Sequence, residues 1–144
     1  MSRPRALLAS LALTLAALAG VAAAQGADEP RVEGTYRAKF EAVANNCAKA
    51  GMSLSSAAVE VTRKDRSVSV TIPAVPIMKG SVSRGGKFRA VARRGKTAIK
   101  GVDGRFSVAG RVEKGTIQFL FIAEYFEGEK PLCTQSWNAS GPRQ

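Results

Sequence analysis

The stretch Val59-Glu60-Val61-Thr62-Arg63-Lys64-Asp65-Arg66-Ser67-Val68-Ser69-Val70-Thr71-Ile72 decides the fold. Val59 and Val61 alternate with Glu60 and Thr62, and Val68, Val70 and Ile72 alternate with Ser69 and Thr71. Period two places one set of side chains on one face of a pleated strand and the other set on the opposite face. Lys64-Asp65-Arg66 between the two runs is a polar turn, so the stretch reads as a β-hairpin.

The same rhythm continues in both directions. A strand is expected over 34–40. Pro73 and Pro76 mark a break, because proline donates no ladder hydrogen bond. Ser81-Val82-Ser83 leads through Arg84-Gly85-Gly86 into a strand over 87–93, with Phe88, Ala90 and Ala92 on one face. A turn at Arg94-Gly95-Lys96 precedes a strand over 97–102, which carries Ile99 inward. Asp103-Gly104 reads as a two-residue type I′ turn. Residues 105–112 and 116–126 form the next two strands. The second is expected to be the longest, and buried on both faces at Phe119-Leu120-Phe121-Ile122. Residues 132–138 form the last.

A short helix fits only at 41–52, where Ala42, Ala44, Ala48 and Ala50 recur. The fold class is therefore all-β: an antiparallel meander of about eight or nine short strands. It closes into a small barrel or, alternatively, forms a two-sheet sandwich. Closure removes exposed strand edges and favours the barrel.

Residues 1–24 read as a secretory signal peptide. Arg3 and Arg5 precede an apolar run from residue 6 onward, and Ala22-Ala23-Ala24 supplies the small residues of a cleavage site. Residues 25–144 then form one domain, secreted or periplasmic, with no transmembrane segment left after cleavage and a monomer expected. In an oxidising compartment Cys47 and Cys133, the chain's two cysteines, are expected to pair. The pairing of the strand near Tyr36 with the strand near Trp137 would bring them together.

Composition narrows the chemistry. The chain has 144 residues and no histidine, which excludes Ser-His-Asp, Cys-His and His-ligated metal mechanisms. No Cys-x-x-Cys, Gly-x-Ser-x-Gly, Gly-x-Gly-x-x-Gly or phosphate-binding loop occurs. Glu124, Glu127 and Glu129 gather around a turn and read as a solvated loop. The expectation is a binding protein, not an enzyme, with no cofactor and no metal. Asn138-Ala139-Ser140 matches a glycosylation acceptor, meaningful only in a host with that pathway.

The net charge is +11, from 22 Lys and Arg against 11 Asp and Glu. Without Arg3 and Arg5 it is +9. Between positions 84 and 114 ten basic residues face only Asp103 and Glu113, a local +8. If Phe88, Ile99 and Phe106 point inward, strand parity sends Lys87, Arg89, Arg93, Lys100, Arg105 and Arg111 outward together. These six are the candidate anion-binding residues, weighed against a solvated outer face that only blocks edge pairing. Suitable partners are an anionic lipid, lipopolysaccharide or another envelope polyanion. Nucleic acid is disfavoured, because single-strand binders interleave aromatics with their cations and here the aromatics face inward.

The plan also resembles the lipocalin-like barrels in pattern: Gly34-Thr35-Tyr36 opens the first strand and a disulfide ties the C-terminal region. Those families usually place Trp where Tyr36 stands. The resemblance implies a carrier of a small apolar ligand in the barrel interior, where Ala90 and Ala92 leave room. A filled interior is the alternative. A third possibility is an inhibitor or partner of an exported protein.

Overall fold

The computed structural model describes residues 29–144; the expected leader over 1–24 lies outside the described residues. Eight strands run in chain order: β1 (Gly34–Asn45), β2 (Ser56–Lys64), β3 (Ser67–Thr71), β4 (Met78–Val82), β5 (Lys87–Lys96), β6 (Val102–Glu113), β7 (Thr116–Glu127) and β8 (Lys130–Pro142). Each pairs antiparallel with its neighbours in sequence, and β1 pairs with β8 to close a barrel. The hairpin from which the fold was read is β2–β3, with Val61 opposite Val70. Asp65 takes a positive φ of 54° in its turn.

Short turns close one end of the barrel, between β2 and β3, β4 and β5, and β6 and β7. The longer connections 46–55, 72–77 and 97–101 lie at the other end. Inward residues follow the alternation: Tyr36, Ala38 and Phe40; Val59 and Val61; Phe88, Ala90 and Ala92; Phe106 and Val108; Phe119, Phe121 and Tyr125; Trp137 and Ala139 are all buried.

Aromatic rings fill the bore. Phe121 stacks on Trp137 at 5.3 Å between centroids and on Phe106 at 6.2 Å, and it meets Phe40 edge-on at 6.5 Å. Phe106 in turn meets Tyr125 edge-on at 6.1 Å. Such offset and T-shaped contacts add to the burial of the rings themselves. Ala90 and Ala92 are buried with these rings in one hydrophobic cluster.

Cys47 and Cys133 are joined, with Cα atoms 5.1 Å apart. The bridge ties the 46–55 connection to β8. The short helix expected at 41–52 does not form, and no helix occurs among the described residues. β1 runs on to Asn45, and Asn46 then exchanges hydrogen bonds with Thr134: its amide donates to the Thr134 carbonyl at 3.3 Å, and its side-chain oxygen accepts from the Thr134 amide at 2.8 Å. Buried Gln135 holds the rest of the connection, accepting from the Met52 amide at 2.8 Å and donating to the Met52 carbonyl at 3.1 Å. A helix would withdraw these backbone groups.

The expected turn at Asp103-Gly104 is displaced as well. Residues 94–96 belong to β5 and Asp103 and Gly104 to β6, while the chain reverses over 97–101. Gly101 supplies the left-handed φ of 81°. Thr97 closes the loop, its hydroxyl donating to the Val102 carbonyl at 2.7 Å and accepting from the Ile99 amide at 3.2 Å. Ile99 is consequently 39% exposed in a loop and does not point inward.

β7 has 12 residues and β8 has 13, so β7 is not the longest strand. Nor is it buried on both faces: Phe119 and Phe121 are inside, while Leu120 is 37% exposed.

Candidate functional site

Strand parity carries five of the six candidate cations to the outside. Lys87, Arg89 and Arg93 alternate along β5 with buried Phe88, Ala90 and Ala92, and Arg105 and Arg111 alternate along β6 with buried Phe106 and Val112. Lys100 is not on this face; it sits at the tip of the 97–101 loop.

The cations differ in what they touch. Arg105 makes a two-pronged ion pair with Glu124, at 2.7 Å and 3.0 Å. The Glu124 carboxylate holds this guanidinium protonated above its already high range. Arg94 pairs with Asp103 at 3.3 Å, donates to the Gly128 carbonyl and lies 4.4 Å from the centre of the Phe126 ring. Arg105 approaches the same ring at 5.7 Å. Arg94 and Arg105 therefore belong to a self-satisfied cluster built on Phe126, which the sequence reading did not find. Arg111 sits 3.7 Å from Glu113, a looser contact. Lys87, Arg89 and Arg93 have no acidic partner and no side-chain hydrogen bond among the described residues.

Register gives Lys87 a setting. Lys87 lies opposite Arg111, Arg111 opposite Gln118, Gln118 opposite Ser140, and Ser140 opposite Lys39. One outward row thus crosses five strands with cations at both ends and an amide and a hydroxyl between them. In the adjacent row Ala109 lies opposite Leu120, Leu120 opposite Asn138, and Asn138 opposite Glu41.

Between the rows the outer surface forms a concavity of about 520 Å3, lined by Lys87, Arg111, Gln118, Asn138, Ser140 and Glu41. A smaller one of about 270 Å3 continues from Lys87 and Gly110 across Arg89 to Ser81 and Ser83. The floor depends on Gly110: a Cβ there would meet the Phe119 Cα at 2.5 Å and overlap the Gln118 carbonyl oxygen. β6 and β7 approach so closely at this point that only glycine fits. The cations at this site were found from charge. The amides and the hydroxyl were not, although the outward parity of β7 and β8 was the signal that would have placed them beside those cations.

The end of the barrel that carries the longer connections has a separate cleft of about 280 Å3 beside the 97–101 loop, lined by Met52, Ala74, Ile99, Phe106 and Tyr125 among others. Tyr125 is buried, and its hydroxyl has no hydrogen-bond partner. Burial pushes its pKa up. At the opposite end the Tyr36 hydroxyl is fully engaged, donating to the Val32 carbonyl at 2.6 Å and accepting from Arg143 at 2.8 Å. Among the described residues no group of acidic or cysteine side chains is placed to hold a metal ion, and no helix is long and apolar enough to cross a membrane. No protein-family model, no curated protein and no solved structure matches this chain.

Proposed function

We propose that the protein is an exported, non-enzymatic binding protein that holds an anionic component of the cell envelope on the outer face of β4, β5 and β6. The observation that carries this reading is the division of the cations. Asp103 and Glu124 are committed to Arg94 and Arg105, while Lys87, Arg89 and Arg93 stand along one strand without an ion pair among the described residues. β5 and β6 are paired on both sides in a closed ring, so protecting a free sheet edge gives no reason for an unpaired row of cations there. Unpaired cations facing one way raise the local concentration of an anion and its rate of encounter.

Export is supported by the leader-like residues 1–24 and by the disulfide, which persists in an oxidising compartment. The lack of histidine supports a binding role over catalysis. Nucleic acid fits poorly: Phe88 and Phe119 point into the core, and the outward Phe126 is covered by Arg94 and Arg105. The aromatic core likewise gives little support to a carrier role through the bore.

The test uses the chain without residues 1–24, applied at low salt to heparin resin and to vesicles of phosphatidylcholine with or without phosphatidylglycerol. Retention that weakens steeply with salt is expected, and the triple variant K87E/R89E/R93E should lose it. Absence of binding to every anionic surface, or a triple variant that behaves like the parent, would overturn the reading.

A further inference from the structure

We propose that the 520 Å3 concavity is a subsite for an anionic saccharide, a segment of carboxylated, sulfated or phosphorylated polysaccharide lying across β5, β6, β7, β8 and β1. This rests on the basic face being an anion-binding surface and adds what it selects.

The lining separates a saccharide from a bare polyanion. Lys87 and Arg111 stand side by side at one end, and Arg111 offers the forked donor set that matches a sulfate, phosphate or carboxylate. Gln118, Asn138 and Ser140 follow across the next two strands, and none of them makes a side-chain hydrogen bond among the described residues. Amides and hydroxyls both donate and accept, which is the capacity that sugar hydroxyls require. Polyphosphate or a lipid phosphate needs donors only.

Glu41 sharpens the choice. Its carboxylate, opposite Asn138, lines the same concavity and accepts hydrogen bonds alone. It repels a uniformly charged anion and accepts from a hydroxyl, so it discriminates against the wrong ligand as well as favouring the right one. Lys39, opposite Ser140, returns positive charge at the far end of the row. At the usual strand spacing Arg111 and Lys39 are about 14 Å apart along the arc. A short oligosaccharide with charge at intervals spans that distance; a single small ion does not. Apolar Ala109 and the backbone of Gly110 form a floor without bulk, against which a sugar ring can lie flat.

The experiment compares heparin with polyphosphate, a linear polyanion without hydroxyls, and with phosphatidylglycerol vesicles. Q118A/N138A is expected to weaken heparin binding by about tenfold while leaving polyphosphate and vesicle binding unchanged. E41Q should strengthen polyphosphate binding, and A109W should block heparin alone by filling the floor without altering charge. Each variant is checked for an unchanged melting transition, and since all these side chains are exposed, the fold is expected to persist.

The saccharide subsite is overturned if Q118A/N138A and A109W leave heparin affinity at the parent value, or if they lower heparin and polyphosphate equally. A loss confined to vesicles would assign the concavity to a lipid instead and also overturn it. These results differ from failure of the underlying reading, in which the parent protein binds none of the three probes or K87E/R89E/R93E changes nothing.

Discussion

Lys87 lies directly opposite Arg111 in the β5–β6 ladder, and both side chains line the same outer concavity. Like charges directly opposite in an antiparallel pair are unfavourable by up to about 1 kcal/mol. Glu113, 3.7 Å from Arg111, relieves only part of this. On the proposed anion-binding reading this cost has a use, since two cations held together attract an anion more strongly than either does alone.

Replacing Lys87 with Glu turns a repulsive pair into an attractive one. The expected result is a gain of about 0.5–1 kcal/mol at low salt, with the melting temperature up by about 2–6 °C and the difference shrinking as salt is added. Retention on heparin should fall in the same variant. Thermal melts at two salt concentrations check this, and an unchanged or lower melting temperature at low salt would show that the pair does not repel.

Much of this was legible in the chain. The alternation of Val59, Val61, Val68 and Val70 gave a hairpin, and the same period repeated to the C-terminus gave a closed antiparallel meander with Cys47 near Cys133. Local turn chemistry failed where tertiary partners outweighed it. Asp103 is a good turn residue, but its carboxylate serves Arg94, and Phe106 packs over Gly104, so the reversal moved to Thr97 and Gly101. The alanines of 41–52 suggested a helix because nothing local reveals that Thr134 and Gln135 would claim that backbone. The basic face was visible from charge and parity, whereas the concavity beside it depends on cross-strand register among five strands, which no single stretch specifies.

The two buried tyrosines should respond oppositely to loss of the hydroxyl. Tyr36→Phe removes a group bonded to both the Val32 carbonyl and Arg143, and should cost about 1–3 kcal/mol. Tyr125→Phe removes a buried hydroxyl without a partner and should be neutral or stabilising by up to about 1 kcal/mol. Urea unfolding of the two variants beside the parent decides it; a Tyr125→Phe loss as large as that of Tyr36→Phe would mean the Tyr125 hydroxyl is bonded in solution.

Tyr125 also makes a pH prediction. Burial raises its pKa, so the folded chain keeps a proton that the unfolded chain gives up near pH 10. Its contribution to stability is complete below pH 10 and is lost as pH rises through the higher folded value, at up to about 1.4 kcal/mol per pH unit. Lysines titrate in the same range, so the informative quantity is the difference between the parent and Tyr125→Phe. That difference should move in favour of the variant above pH 10 and stay flat between pH 7 and 9.

Gly110 and Gly95 give a contrast in backbone approach. A Cβ at Gly110 would meet the Phe119 Cα at 2.5 Å, whereas at Gly95 the nearest atom is the Arg93 carbonyl oxygen at 3.7 Å. Gly110→Ala must push β6 from β7 and should cost about 3 kcal/mol. Gly95→Ala restricts the unfolded chain without a clash and should be neutral or slightly stabilising. Chemical denaturation separates them, and because Gly110 lies in the floor of the concavity, the alanine variant should also lose affinity for heparin.

The Cys47–Cys133 bridge closes a loop of 86 residues in sequence. In the chain-entropy account such a crosslink stabilises the fold by about 4–5 kcal/mol by restricting the unfolded ensemble. Reduction also frees the 46–55 connection, leaving the Asn46 and Gln135 hydrogen bonds to hold it against β8. The double variant C47S/C133S should therefore unfold at markedly lower urea than the parent, and dithiothreitol should bring the parent to the same midpoint. The 46–55 connection and β1 beyond Phe40 should be the first segments to gain hydrogen exchange, while the Phe121–Trp137 core stays protected. A uniform loss of protection around the barrel would instead show that the bridge stabilises the fold as a whole and does not anchor that connection locally.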